Sequence, residues 1–243
     1  MRRGGRNITE VDLAGIFEAL EAHYGTQRPE WPLDPYLFLV WWHCGYPASD
    51  AACARGWKAL SEEIGVRIED LNAASLKEVT AALKAGGMVP DLRAQRLKQI
   101  VELIQQQFGG DLKGGLSAMP VARARAALKK FPNIAHPGAD RILLFAGLDP
   151  VAAAPSNCPH VLVRIRKGFE RDNYGVTYRE AQEMIESATP RSCEARQRAY
   201  LLLKRHGQEI CKRTNPKCAI CPMQSYCAYA SGKMRGGSQR TPR

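Results

Sequence analysis

The chain has 243 residues, 45% of them apolar, and a formal net charge of +11. That is enough apolar material for a real core, as one large domain or two small ones. No run of 18 apolar residues offers a membrane span, and the basic opening "MRRGG" has no apolar segment behind it, so neither a span nor a secretory signal is expected.

Taken in chain order, the segments read as helices. "ITEVDLAGIFEALEAHY" repeats apolar residues every three to four positions. "DPYLFLVWWHC" is capped by Asp34 with Pro35 in its first turn, and "SDAACARGWKALSEEIG" starts at Ser49 and stops at Gly65. Helical patterns continue through "SLKEVTAALKAGG", "DLRAQRLKQIVELIQQQFGG", "VARARAALKKF", "PGADRILLFAG", "PHVLVRIRKGF", "TYREAQEMIESA" and "CEARQRAYLLLKRHGQEI". Gly, Pro and Asp punctuate the junctions, no convincing alternating strand occurs, and the fold class is all-α. The ends, "MRRGGR" and "SGKMRGGSQRTPR", are basic and free of acids, and are expected to be mobile.

The excess of positive charge favours a polyanionic partner. A cytoplasmic location is expected, nucleoid-associated in a bacterium. In that reducing setting eight cysteines point to a metal centre rather than to a disulfide framework. Four of them, Cys211, Cys218, Cys221 and Cys227, stand at C-x6-C-x2-C-x5-C. Four thiolates suit zinc or a [4Fe-4S] cube. Only Cys218 and Cys221 form the short knuckle of a zinc ribbon, and the wider spacings suit a cube better.

"HGQEIC" followed by this spacing resembles the iron–sulfur loop of the endonuclease III branch of the helix-hairpin-helix (HhH-GPD) DNA glycosylases, with His206, Gly207 and Cys211 at the matching positions. The resemblance implies a structural [4Fe-4S] cluster. It also implies a loop that touches DNA phosphate through Lys212, Arg213 and Lys217. A second landmark of that family, L-P-G-V-G-x-K-T-A, matches "FPNIAHPGADRILL" without gaps, with Asn133 and Ala135 replacing both glycines and Gly138 just downstream. Such a hairpin offers backbone N–H groups to phosphate. Asparagine tolerates left-handed backbone angles, whereas alanine at a positive φ costs energy. "LRAQRLKQI" resembles the family's (Arg/Lys)-Ala helix start, and "DPYLFLVWWHCGY" the first helix of its barrel.

The resemblance covers about residues 9 to 230. It implies two lobes: an iron–sulfur cluster lobe from 1–33 and 149–230, and a six-helix barrel lobe at 34–148 containing the hairpin 131–144. A basic flexible tail, 231–243, follows. The implied partner is double-stranded DNA with a damaged or mismatched base, and no membrane.

The family's catalytic positions are altered. Its Schiff-base lysine corresponds to Pro137, its aspartate to Pro155, and the early glutamate of adenine-specific members to Trp42. Matching His160 to a family histidine instead puts Cys158 at the aspartate position. The remaining candidate groups are His43, His136, Asp140 and Asp149. Trp42 and Tyr46 are candidates for a base pocket or a wedge, and of the adjacent Trp41 and Trp42 one belongs to the core. Two readings stay open: a glycosylase with relocated chemistry, and a catalytically inactive DNA- or lesion-binding protein.

Overall fold

The computed structural model describes residues 13–235, and every regular element among them is helical. The chain divides into two compact units. Pro29–Asp149 forms one; the flanking segments, up to Arg28 and from Pro150 onward, form the other. The first boundary therefore falls after Arg28 rather than after residue 33. The reason is Trp31, whose buried ring packs 5.2 Å from Phe145 and 6.1 Å from Trp41 and so ties its segment to the central unit. Asp149 also joins that unit, donating its N–H to the Leu143 carbonyl.

The central unit begins with α2 (Pro35–His43), where the Asp34 carboxylate accepts from Tyr36 N–H at 2.9 Å and Leu37 N–H at 3.1 Å. Then follow α3 (Asp50–Glu63), α4 (Ile68–Ala73) and α5 (Leu76–Leu83), the last opened by a reciprocal Ser75–Glu78 capping box. The long α6 (Pro90–Phe108) precedes α7 (Leu112–Ser117), α8 (Val121–Leu128) and α9 (His136–Phe145). Leu39, Leu60, Leu83, Leu97, Ile100 and Leu143 are wholly buried and make the centre of the core.

One junction of this unit is unusually tight. The Cys44 carbonyl lies so close to Gly56 and Gly86 that a Cβ at either glycine would overlap it. The same carbonyl accepts from the guanidinium of buried Arg93, which also donates to the carbonyls of Leu83 at 2.9 Å, Gly87 at 2.8 Å and Met88 at 2.9 Å. Four acceptors offset the cost of burying that cation, and together they give the (Arg/Lys)-Ala start of α6 a physical reason.

The flanking unit contains α1 (Leu13–Tyr24), α10 (His160–Lys167), α11 (Tyr174–Ala188), α12 (Cys193–Glu209) and α13 (Ala228–Arg235). Leu13, Ile16, Phe17 and Leu20 present the helix-spaced apolar stripe of α1 to Leu202, Leu203 and Ile185. The C-terminal segment differs from expectation. Residues 231–235 are helical, continuing α13, because Ala230 and Cys227 bury against α10 and carry the next turn with them. The rest of the basic tail, and the "MRRGGR" end, lie outside the described residues.

Candidate functional site

The cysteine loop is built on the end of α12. Cys211 N–H donates to the His206 carbonyl at 2.8 Å, and short 3-10 turns at Cys218–Ile220 and Gln224–Tyr226 present the remaining thiols before α13 begins. Cys211, Cys218, Cys221 and Cys227 line one cavity, whose apolar walls include Ile165, Ile210 and Tyr229. Among the described residues no three potential ligands converge tightly enough for a single metal ion.

The surroundings of these sulfurs fit a thiolate-bound group. The backbone of Met223 at Cys221, and of Tyr229 and Ala230 at Cys227, favours the charged sulfur and works against burial. Arg164 Nη1 approaches Cys211 Sγ at 3.9 Å, and His206 Nε2 lies 3.6 Å from Cys221 Sγ. Burial pushes the Cys211 thiol up to about 11 and raises Cys221 and Cys227 as well. Burial thus disfavours the charged form of Cys211, Cys221 and Cys227, and a bound cation would offset that cost.

Helix α10 fixes the first half of the loop. His160 Nε2–H donates to the Cys211 carbonyl at 2.8 Å, and Arg164 donates to the carbonyls of Lys212 and Arg213, each at 2.8 Å. The carbonyls are thus held from α10, while the side chains of Lys212, Arg213 and Lys217 are exposed. Arg213 is also met by Glu170 at 3.5 Å, a carboxylate that pairs with Arg164 too. Gly207 leaves room for Cys158, onto whose sulfur a Cβ at Gly207 would fall.

The hairpin lies between α8 and α9. Ile134 N–H donates to the Phe131 carbonyl at 3.2 Å, and Asn133 between them takes φ +56°. The left-handed position at the first family glycine thus exists and is filled by asparagine. Ala135 does not need one: it caps α9 at φ −88° and ψ −177°, ordinary extended backbone. Gly138 is helical, and a Cβ there would make an ordinary 3.5 Å contact with Ile134. Lys129 and Lys130 are exposed at the turn.

Next to this hairpin is an aromatic wall. Trp41 is core, 2% exposed, whereas half-buried Trp42 stacks on Tyr46 at 4.4 Å and 25° and on Phe38 at 6.1 Å. The Trp42 indole N–H has no hydrogen-bond partner. Above the wall lies the Arg141 guanidinium, 3.8 Å from the Trp31 ring, 4.8 Å from Phe38 and 5.6 Å from Trp42.

Comparison with known proteins agrees with this geometry. Residues 211–227 match the model described as the iron-sulfur binding domain of endonuclease III. The endonuclease III of Bacillus subtilis (strain 168) is 24% identical over 204 residues, 84% of this chain and 85% of that one. A solved thermostable thymine-DNA glycosylase superposes with a TM-score of 0.71 at 19% identity, over 91% of this chain and 97% of its own. An endonuclease III solved in a non-covalent DNA complex gives 0.71 at 17% identity, over 93% of this chain and 100% of that one. The chain has the helix-hairpin-helix DNA glycosylase fold.

Within this glycosylase fold the altered positions acquire definite surroundings. Pro137 lies in the first turn of α9, and Pro155 ends the buried run Val151–Pro155. Cys158 is also buried, its thiol pushed up to about 12 by desolvation. His43 is wholly buried, with Nδ1 2.8 Å from the Leu39 carbonyl and Nε2 3.1 Å from the Pro132 carbonyl, and a neutral ring can donate to only one of the two. Desolvation holds its pKa down at about 4. Tyr46 is spent on its stack with Trp42. Asp149 is half-buried at the end of the unit.

His136 and Asp140 come together. The buried Asp140 carboxylate accepts from Arg125 Nε at 2.6 Å and lies 3.1 Å from His136 Nε2, while His136 is 51% exposed. Residues 136 and 140 thereby share the α8 side of α9, whereas 137 and 141 share another face, toward the aromatic wall. Sequence reasoning missed Arg141; its spacing of four from Pro137 was the available signal. It also missed the tip before α6, where Met88 is 67% and Val89 48% exposed, and Val89 sits at φ +51°. An apolar pair between Gly87 and Pro90, in a turn, was the signal there.

Proposed function

We propose that the protein binds double-stranded DNA at a damaged or mismatched base, as a member of the base-excision-repair class, and forms no lysine Schiff base in doing so. The hairpin carries this reading. A left-handed Asn133 and a proline-started α9 set the first-turn N–H groups, including that of Gly138, beside exposed Lys129 and Lys130, a donor set suited to phosphate. Exposed Lys212, Arg213 and Lys217 on the cysteine loop add a sequence-independent contact of the same kind. The similarity to an endonuclease III solved with DNA and to a thymine-DNA glycosylase supports it.

The cysteine spacing supports a [4Fe-4S] cube over a single zinc ion, and the four thiols share one cavity. Cys211, Cys218, Cys221 and Cys227 would hold such a cube, which would tie the loop to the end of α12. The exposed Met88 and Val89, clamped from below by Arg93, have the character of an apolar wedge that enters a base step. The stacked Trp42–Tyr46 pair then lines the pocket for an extruded base, since stacking tolerates many base identities. Among the described residues no helix is long and apolar enough to cross a membrane, and the proposed location is cytoplasmic, at the nucleoid in a bacterium.

A second reading, base excision by groups other than the family's lysine and aspartate, is favoured by the half-exposed His136 held against Asp140. A single-turnover assay separates the two. Protein in excess meets duplexes carrying uracil, oxidised pyrimidines, alkylated purines, mismatched adenine or abasic sites, with alkali to reveal base loss and borohydride to trap a Schiff base. The binding reading expects salt-sensitive binding to a mismatched or abasic duplex and no trapped adduct. Excision abolished by His136→Ala would establish the second reading, and a trapped adduct would overturn both.

A further inference from the structure

The iron–sulfur reading of the four cysteines leaves one buried group without a role. His206 is wholly buried in α12, one residue before the glycine that accommodates Cys158. Its Nδ1 lies 3.0 Å from the hydroxyl of Tyr24, 182 positions away on α1, and its Nε2 lies 3.6 Å from Cys221 Sγ. The ring also lines the same cavity as the four thiols.

A neutral imidazole has one N–H, so this chain of three groups has only two arrangements. In one, the Cys221 thiol donates to Nε2, and Nδ1–H donates to the tyrosine oxygen. In the other, the tyrosine hydroxyl donates to Nδ1, and Nε2–H donates to sulfur. A metal-bound cysteine has lost its proton, and only the second arrangement then satisfies every member.

We infer that His206 is a positioning residue for the metal-bearing Cys221 thiolate: in the loaded protein the imidazole would donate Nε2–H to the sulfur, and the Tyr24 hydroxyl would hold that tautomer by donating to Nδ1. The chain runs from the first helix to the cysteine loop, so α1 takes part in holding the cluster although it supplies no ligand. Tyr24 is half-buried, and removing its hydroxyl alone leaves the aromatic packing on the His206 ring, 6.0 Å between centroids, in place. Outer partners of metal ligands act in this way on affinity and electron density.

The inference rests on the iron–sulfur reading, and the experiment keeps the two apart. Full-length protein, purified without air, is compared with Tyr24→Phe, His206→Gln and His206→Phe. Iron and sulfide per chain, the resonance-Raman Fe–S(Cys) bands and the rate of iron release to a chelator are recorded. Tyr24→Phe is expected to load iron, to shift the Fe–S(Cys) bands and to release iron about tenfold faster. His206→Gln, which keeps an N–H donor, should fall between wild type and His206→Phe. If His206→Phe fails to fold, Tyr24→Phe decides. Loaded Tyr24→Phe and His206→Gln proteins with wild-type bands and release rates would overturn the inference, even with a lowered Tm, since that outcome marks simple packing. Wild-type protein without iron and sulfide would remove the iron–sulfur reading and this inference with it.

Discussion

A histidine whose two ring nitrogens both face carbonyl oxygens is poorly placed to move a proton to or from a substrate. That is the position of His43, and its effect is on stability instead. Unfolded, the imidazole titrates near 6.5; folded, it titrates at about 4. Between those values the unfolded chain binds more protons, so stability falls as pH drops below 6.5, and the loss is complete near 4. The shift of about 2.5 units corresponds to about 3 kcal/mol. Urea unfolding at pH 7 and pH 4.5 should show this drop, and His43→Gln should flatten it. Gly207 acts by absence: Gly207→Ala sets a Cβ on the Cys158 sulfur, and should cost about 1–3 kcal/mol by urea unfolding.

At the scale of the element, the hairpin separates two substitutions that look alike in the sequence. Asn133 occupies the left-handed region and Ala135 does not. Asn133→Gly should therefore be neutral or slightly stabilising, Asn133→Val should cost about 1–2 kcal/mol, and Ala135→Gly should bring no gain. Thermal unfolding of the three variants checks the order. If Ala135→Gly tightened DNA binding tenfold, the extended cap at 135 would not be the bound conformation. Helix α9 teaches the same lesson about direction. His136 and Pro137 are neighbours in sequence, yet one reaches Asp140 on the α8 side and the other lies on the face of Arg141 and the aromatic wall.

Across the molecule, the +11 charge does not by itself identify a surface, and the cysteine loop is the surface proposed for DNA. With its carbonyls fastened to Arg164 and His160, the cysteine loop exposes Lys212, Arg213 and Lys217. Replacing Lys212 and Lys217 together by alanine should weaken duplex binding alike across sequences. It should also reduce the slope of log affinity against log salt by about 2, roughly one per lost phosphate contact. An unchanged slope, measured by titration at several salt concentrations, would place the interface elsewhere. Prolonged treatment with a strong iron chelator should disorder the same loop, since a cluster held by Cys211, Cys218, Cys221 and Cys227 would cross-link it.

Features that depend on near neighbours are legible along the chain. Helix spacing and the Asp34, Ser49 and Ser75 caps are local signals, as are the C-x6-C-x2-C-x5-C spacing and the tolerance of Asn133 for left-handed angles. Each involves forces acting over a few residues. Which side chains meet emerges only from the folded molecule: Tyr24 with His206, Arg141 with Trp31, Arg93 with Cys44, and Trp31 with the central unit. It also withdrew His43 into the core and turned residues 231–235 into helix. The reason is physical: these pairings arise where apolar surfaces from distant segments close on one another, and a side chain's partner is set by that packing rather than by its neighbours along the chain.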